Sequence, residues 1–245
     1  MARQARRFSM SGYLHAIIRG IGKQLLFEEP SDYRFFLSIL KRFSNETKVT
    51  VCAFCLMDNH VHLLLHDTNQ QIPVLMKKIG VRYSAYYNEK YERVGHLFQD
   101  RYRSEPVDDS GYLICVFRYI LKNPEKAGIC NASAYQWSSY AMYGDDSSFV
   151  DTSSIVPLIG DREQYEAFLK EQDENDYLEY KTVVHDDQWA IGIVHKLLDG
   201  KSGTILQSYD RESRDKAIRA LKNAGLSVRQ LERLTGINRG IIQRA

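Results

Sequence analysis

The stretch from Lys48 to His66, "KVTVCAFCLMDNHVHLLLH", leaves little choice of local structure. Its two halves are apolar and rich in β-branched residues. Met57-Asp58-Asn59 between them supplies turn chemistry, so the stretch reads as two antiparallel strands joined by a tight turn. Side chains alternate faces along a strand, so His60 and His62 point one way and Val61 the other. Two imidazoles on one face either grip a metal ion or stand as polar residues on a wetted sheet, and the pair alone does not choose.

The elements around this hairpin define a plan. "GYLHAIIRG" (12–20) reads as a strand ending in a glycine turn. From Pro30 to Phe43 the apolar residues Phe36, Leu37, Ile39, Leu40 and Phe43 form a helical stripe, with Ser31 or Asp32 as cap. A long helix runs from Ile72 to Tyr91 and carries a basic cluster of Lys77, Lys78 and Arg82. "HLFQDRYRS" (96–104) alternates and reads as a fourth strand, with Arg101 and Arg103 on one face, where they either meet phosphates or stay solvated. Strand, helix, strand, strand, helix, strand is the ferredoxin-like order: an α+β fold with a four-stranded antiparallel sheet and helices on one face.

In "EPVDDSGYLICVFRYILKNPEKAG" (105–128), Pro106 and Asp108–Ser110 open a helix that Pro124 closes. Leu113, Ile114, Phe117, Ile120 and Leu121 share an apolar arc, while Tyr112, Tyr119 and Asn123 form a separate stripe, with Tyr119 roughly 150° from the centre of the arc.

Charge is unevenly distributed. Residues 1–130 carry 19 Lys+Arg against 13 Asp+Glu, residues 131–187 carry 3 against 13, and residues 188–245 carry 11 against 5. Two basic ends joined by an acidic middle suggest two polyanion-binding modules, solvated helix faces being the plainer alternative. The four cysteines are expected as reduced thiols; Cys52 and Cys55 are spaced C-x-x-C without a second pair, which fits small core residues better than a zinc site. No apolar run approaches a membrane span and no h-region follows the basic start, so a cytoplasmic protein without a membrane partner is expected.

At the C-terminal end, "AGLSVRQLERLTGINRGIIQRA" (224–245) has Ser227 and Gln230 as a capping box, Leu226 and Leu231 as a staple, and a turn at Thr235-Gly236. Asn238 then caps a second helix bearing Arg239, Gln243 and Arg244, with Leu231, Leu234, Ile237 and Ile242 as a small core. This is the helix-turn-helix pattern, an expected DNA-binding module. The expected division is a core over 1–145, an acidic connector over 146–200 and the module over 201–245, with the boundary somewhere in 180–205.

His60 and His62 with Asn123 make a three-point set suited to Mg²⁺ or Mn²⁺, and a tyrosine one turn from Asn123 is placed to attack a phosphodiester. At these residues the sequence resembles a known family. "LMDNHVHLLL", "GHLFQDRYRS", "FRYILKNPEKAG" and "YQWSSY" resemble, in order, the motifs of the REP-associated tyrosine transposases, relatives of the single-strand insertion-sequence transposases in the HUH nuclease superfamily. The resemblance runs over about residues 8–145. It implies a divalent metal (Mg²⁺ or Mn²⁺), His60, His62 and Asn123 as its ligands, and Tyr119 as a nucleophile that cuts and rejoins single-stranded DNA beside a hairpin through a 5′-phosphotyrosine. Two departures stand out: Asn123 where relatives often carry glutamine, and Asp58 where a proline is common. Duplex DNA is the expected partner of the C-terminal module, and a homodimer is left open. Tyr112 is the runner-up nucleophile, and His15 either supports the histidine pair or is a satisfied sheet histidine. Tyr83, Tyr86 and Tyr87 either stack on bases or pack the helix. The reading from another class is a non-catalytic regulator that only binds hairpin or duplex DNA.

Overall fold

The computed structural model describes residues 9–171, 177–179, 187–226 and 228–245. They fall into two compact units, residues 1–179 and 180–245.

In the first unit β1 (Tyr13–Arg19), β2 (Thr50–Met57), β3 (His60–His66) and β4 (Arg103–Pro106) form one antiparallel sheet in the order β2-β3-β1-β4. With α1 (Pro30–Thr47) and α2 (Ile72–Lys90) inserted between strands, this is the ferredoxin-like arrangement. The turn between β2 and β3 is as short as turns become: Met57 pairs with His60, so only Asp58 and Asn59 lie outside the ladder.

Alternation gives the sheet two buried faces. Leu14, Ala16, Ile18, Phe54, Leu56, Val61, Leu63 and Leu65 pack under α1 and α2. Ala53, Cys55, Met57 and Leu64 pack on the other side, under α3 (Ser110–Leu121). Helices therefore cover both faces, where the sequence pattern predicts them on one. Cys52 and Cys55 are buried free thiols, and a bulge between Val51 and Ala53 lets both join the α3 side.

The fourth strand is shorter and later than its alternation predicts. Phe98 bridges Gly20 and Arg103 pairs with Ile17, so five steps on the outer chain face three on β1. The surplus bulges away from the sheet while Leu97 is drawn into the α1/α2 core. Arg101 thus lies on the bulge and Arg103 at the first position of β4, and the two share no strand face.

The segment expected to be a connector belongs partly to this unit. After α4 (Asn123–Lys126), Trp137 O accepts from Leu56 N, Phe54 O accepts from Ser139 N, and Val51 O accepts from Asp151 N, which closes the free edge of β2. Ile155, next to α5 (Val156–Ile159), and Tyr165 and Leu169 of α6 (Arg162–Lys170) pack with Tyr177 into the α3 core. Aromatic and aliphatic residues between the charges draw the acidic segment in; charge counting alone does not register them.

The second unit has its own core. It contains α7 (Asp187–Leu197), α8 (Arg211–Asn223), α9 (Val228–Thr235) and α10 (Arg239–Arg244) around Val194, Leu206, Ile218, Leu221, Leu231 and Ile242. Gly236, at φ +68°, ends α9 in the left-handed region, and its N–H bonds Glu232 O. Asn238 caps α10 by accepting from Gly240 N. Ser227 lies outside the described residues. Among them no helix is long and apolar enough to cross a membrane.

Asp32, with no exposed surface, ties α1 to α2: it accepts from Lys90, Tyr86, Tyr91 and the amides of Glu28 and Glu29. Burial alone would raise its pKa, but the bonds from Lys90, Tyr91 and the two amides override it and hold the carboxyl at about 2, against an ordinary 3.8. The depressed folded value means that the stability it confers is present above pH 3.8 and lost as pH falls toward 2. Asp32→Asn is expected to cost about 2 kcal/mol at pH 7. Urea unfolding should show the gap narrowing below pH 4; a gap independent of pH would refute the ionic role.

Candidate functional site

The site forms on the α3 face of the sheet. His60 and His62 project from β3, and β1 brings His15 beside them: His15 Nε2 lies 3.1 Å from His62 Nδ1, with the rings stacked at 5.3 Å. His60 Nδ1 lies 2.7 Å from Asn59 Oδ1, and the His60 and His62 rings are 4.9 Å apart. These contacts engage the δ nitrogen of each β3 histidine, so the ε nitrogens are the atoms a metal would use.

Burial keeps all three rings neutral. It lowers His15 to about 3 and His60 to about 4, the latter helped by the charge of Arg19. His62 is pushed well below its ordinary range by burial and then by His15, His60 and Lys126. His15 Nδ1 is buried without a hydrogen-bond partner among the described residues, so the imidazole is held there at a cost.

Above the histidines runs α3, capped by Asp109, which accepts from Tyr112 N at 2.8 Å. It places the Tyr119 ring 5.6 Å from His62 and 5.8 Å from His15, both edge-on. The phenol donates to Glu179 Oε1 at 3.0 Å, and its ring stacks on Tyr177 at 4.3 Å. Burial, then the Glu179 carboxylate, raises its pKa. Tyr119 is 2% exposed, where its place off the apolar arc predicts a polar stripe. The difference comes from Tyr177, which covers both Tyr119 and Tyr112. Leu178 N is held by Glu105 and Glu179 O by Arg103, both of β4.

Helix α3 breaks at Lys122, and Asn123 begins α4. The Asn123 Nδ2 donates to Tyr119 O at 2.9 Å and Ile120 O at 3.3 Å. Its Oδ1, the atom that can bind a cation, makes no hydrogen bond with the described residues. Lys126 sits with Nζ 4.3 Å from the centre of the Tyr119 ring. Among the described residues, no three His, Cys, Asp or Glu side chains converge as a metal group. A metal here would draw instead on the two imidazoles and the Asn123 amide oxygen, neutral oxygen and nitrogen groups whose second polar atoms are already tied. The residues fit.

The basic candidates scatter. Lys78 pairs with Glu46 at 2.7 Å and Arg82 lies over the Phe35 ring. Lys77 and Arg101 are exposed. Arg239 and Gln243 are exposed on α10, one turn apart, and the Arg244 side chain lies outside the described set. Tyr83 and Tyr87 are buried, donating to Leu26 O and Glu28, while Tyr86, half-buried, donates to Asp32: these rings are helix packing. The residues that sequence reasoning missed are Lys126, Tyr177 and Glu179. Lys126, seven residues past Tyr119, has a helical spacing legible in the sequence; Tyr177 and Glu179 lie some sixty positions on and carry no local signal.

Residues 9–123 match the family model of the IS200-like transposases. The resemblance to that family thus spans the sheet, both helices over it, and α3 through Asn123. A solved structure of a REP-associated tyrosine transposase bound to a REP hairpin superposes with a TM-score of 0.57 at 13% identity, covering 76% of this chain and 100% of that one. At that identity the likeness establishes the shared fold. A transposase-like protein of Deinococcus radiodurans R1, solved by crystallography, aligns at 23% identity over 48% of this chain and 95% of its own, with a TM-score of only 0.34. No curated protein matches.

His15 offers a test of the buried imidazoles. Its folded pKa near 3 lies below its ordinary 6.5, so the unfolded chain binds more protons in between. The stability gained from a neutral ring is present above pH 6.5 and lost toward pH 3, at about 1.4 kcal/mol per pH unit. Urea unfolding of His15→Leu between pH 7 and 4 should therefore fall less steeply with acid than that of the parent. Parallel curves would show that the ring is protonated or exposed.

Proposed function

We propose that the protein is a single-strand DNA endonuclease and strand transferase that cuts beside hairpins through Tyr119. The observation that carries this reading is the packing of one phenol against His62 and His15, 5.6 and 5.8 Å between ring centres, four residues before Asn123 and within the span matched by the transposase family. The Tyr119 oxygen attacks the scissile phosphorus and the P–O3′ bond breaks, leaving a 5′-phosphotyrosine and a free 3′-OH that can reverse the step.

The chain's own groups have defined parts in this chemistry. His60 Nε2, His62 Nε2 and Asn123 Oδ1 would hold Mg²⁺ or Mn²⁺, which when bound neutralises charge on the phosphate. His15 fixes the orientation of His62. Glu179 already accepts the phenol's hydrogen bond and is the proton acceptor within reach. Lys126 places a positive charge beside the ring on which negative charge develops. Tyr177 covers the phenol, so its ring must swing aside before a strand can reach the oxygen.

Tyr119→Phe removes one oxygen and little packing. Incubated with Mn²⁺ and hairpin-bearing single strands, the parent should form a covalent adduct visible on denaturing gels, and this variant none, with DNA affinity retained. Tyr112→Phe should remain active. An adduct on the Tyr119 variant would overturn the assignment, and absence of an adduct on the parent with binding intact would favour the non-catalytic regulator. His60→Ala with His62→Ala should likewise abolish cutting.

The second unit is assigned to duplex DNA as a helix-turn-helix module, on the left-handed turn at Gly236 and the exposed Arg239 and Gln243 of α10. The pair Arg239→Ala and Gln243→Ala should weaken duplex binding about tenfold and reduce the salt slope by about 0.9 for the one lost cation. Unchanged affinity and slope in fluorescence anisotropy would remove DNA from this face.

A further inference from the structure

On the opposite side of the sheet from Tyr119, the bulge before β4 leaves a cleft of about 830 Å³ between itself and α2. That volume is in the range of small-ligand sites, roughly 300–1,000 Å³. We infer that this cleft holds an unpaired nucleotide of the DNA strand, its base between α2 and the bulge and its phosphates between Lys77 and Arg101. The inference rests on the reading of the chain as a DNA-processing protein and adds a second contact remote from the nucleophile.

Three observations carry it. The first is shape. Residues 98–103 outrun β1 by two positions, so the chain swells into a wall that faces α2: Phe98 closes the floor against Tyr83, 6.4 Å between ring centres, and Tyr102 lines the side. The second is Gly80, in the middle of α2, where glycine costs helix stability relative to alanine. Nothing in the packing demands it: a Cβ there would meet only the Phe98 ring, at 4.0 Å. Its missing side chain keeps the cleft open, and Lys77 and Ser84 extend the same stripe one turn to either side.

The third is charge. Lys77 on one wall and Arg101 on the other are exposed, and neither meets a carboxylate among the described residues. Asp100, the acid on the rim, accepts from the Arg101 amide at 2.8 Å and has a further interaction besides. Two cations facing across an apolar, aromatic-lined cleft suit a phosphate on each side of a stacked base. A paired base is stacked on at least one side and tied along its edge to its partner, so a base held between two walls is an unpaired one.

The test is equilibrium binding of fluorescein-labelled dT10, read by anisotropy in EDTA on the full chain carrying Tyr119→Phe, so that no chemistry intervenes. Gly80→Met fills the cleft with a good helix former and should bind at least about fivefold more weakly, the lower end of what one stacked base contributes. Lys77→Ala with Arg101→Ala should also weaken binding and should lower the salt slope by about 1.4, about 0.7 for each phosphate contact on a single strand. Thermal melting checks the fold, and the double variant, being confined to the surface, decides the matter should Gly80→Met unfold. Unchanged affinity in the folded variants, or no binding of dT10 by the parent, overturns the inference. A covalent adduct formed by the unaltered chain alongside either of those results would leave the nuclease reading standing and remove only this cleft.

Discussion

Between β1 and β3 the antiparallel ladder runs from Tyr13 opposite His66 to Arg19 opposite His60, and both strands are buried on both faces. Because alternation is strict, this pairing sorts every side chain of the two central strands at once. Even positions of β1 and odd positions of β3 go beneath α1 and α2; His15, His60 and His62 go toward α3. A slip of β3 by one residue would turn His60 and His62 into the α1/α2 core, put aliphatic residues in their place and leave His15 alone on the α3 face. The register that buries Leu63 and Leu65 is thus the register that assembles the histidines.

That coupling explains why the site is dry before any ligand arrives. Imidazoles on a solvent-facing sheet would titrate near their ordinary 6.5; here burial lowers His15 and His60 to about 3 and about 4. The rings remain neutral across the physiological range, His15 and His62 bonded to each other and His60 to Asn59. The same desolvation raises the Tyr119 phenol, which rests as a neutral group bonded to Glu179. Phenol and imidazoles are therefore all kept in uncharged forms.

The bulge before β4 shows a second consequence of edge geometry. An outer strand pairs on one side only, so two extra residues are accommodated by swelling outward without breaking the sheet. The swelling separates Arg101 from Arg103: one faces the cleft beside α2, the other reaches Glu179 O on the side of Tyr119. Two arginines adjacent in alternation thus serve opposite faces of the sheet.

Local pattern carried the hairpin, α1, α2, the Asp109–Ser110 opening of α3 and the turn at Gly236, because turn chemistry, capping and periodicity act within a few residues. It also placed His60, His62 and Tyr119 on their elements, while Asn123, expected on the helix of Tyr119, begins the next one. Tertiary structure decided what lies over them. The row from His15 to His62 required knowing which strand sits beside β3. The burial of Tyr119 depended on Tyr177 and Glu179, some sixty residues away in a segment whose acidic composition reads as solvated. Length mismatch between the bulge and β1 fixed the end of β4, and alternation along 96–104 holds no trace of it. Periodicity reports which face of an element is apolar; only the packed chain determines what that face meets.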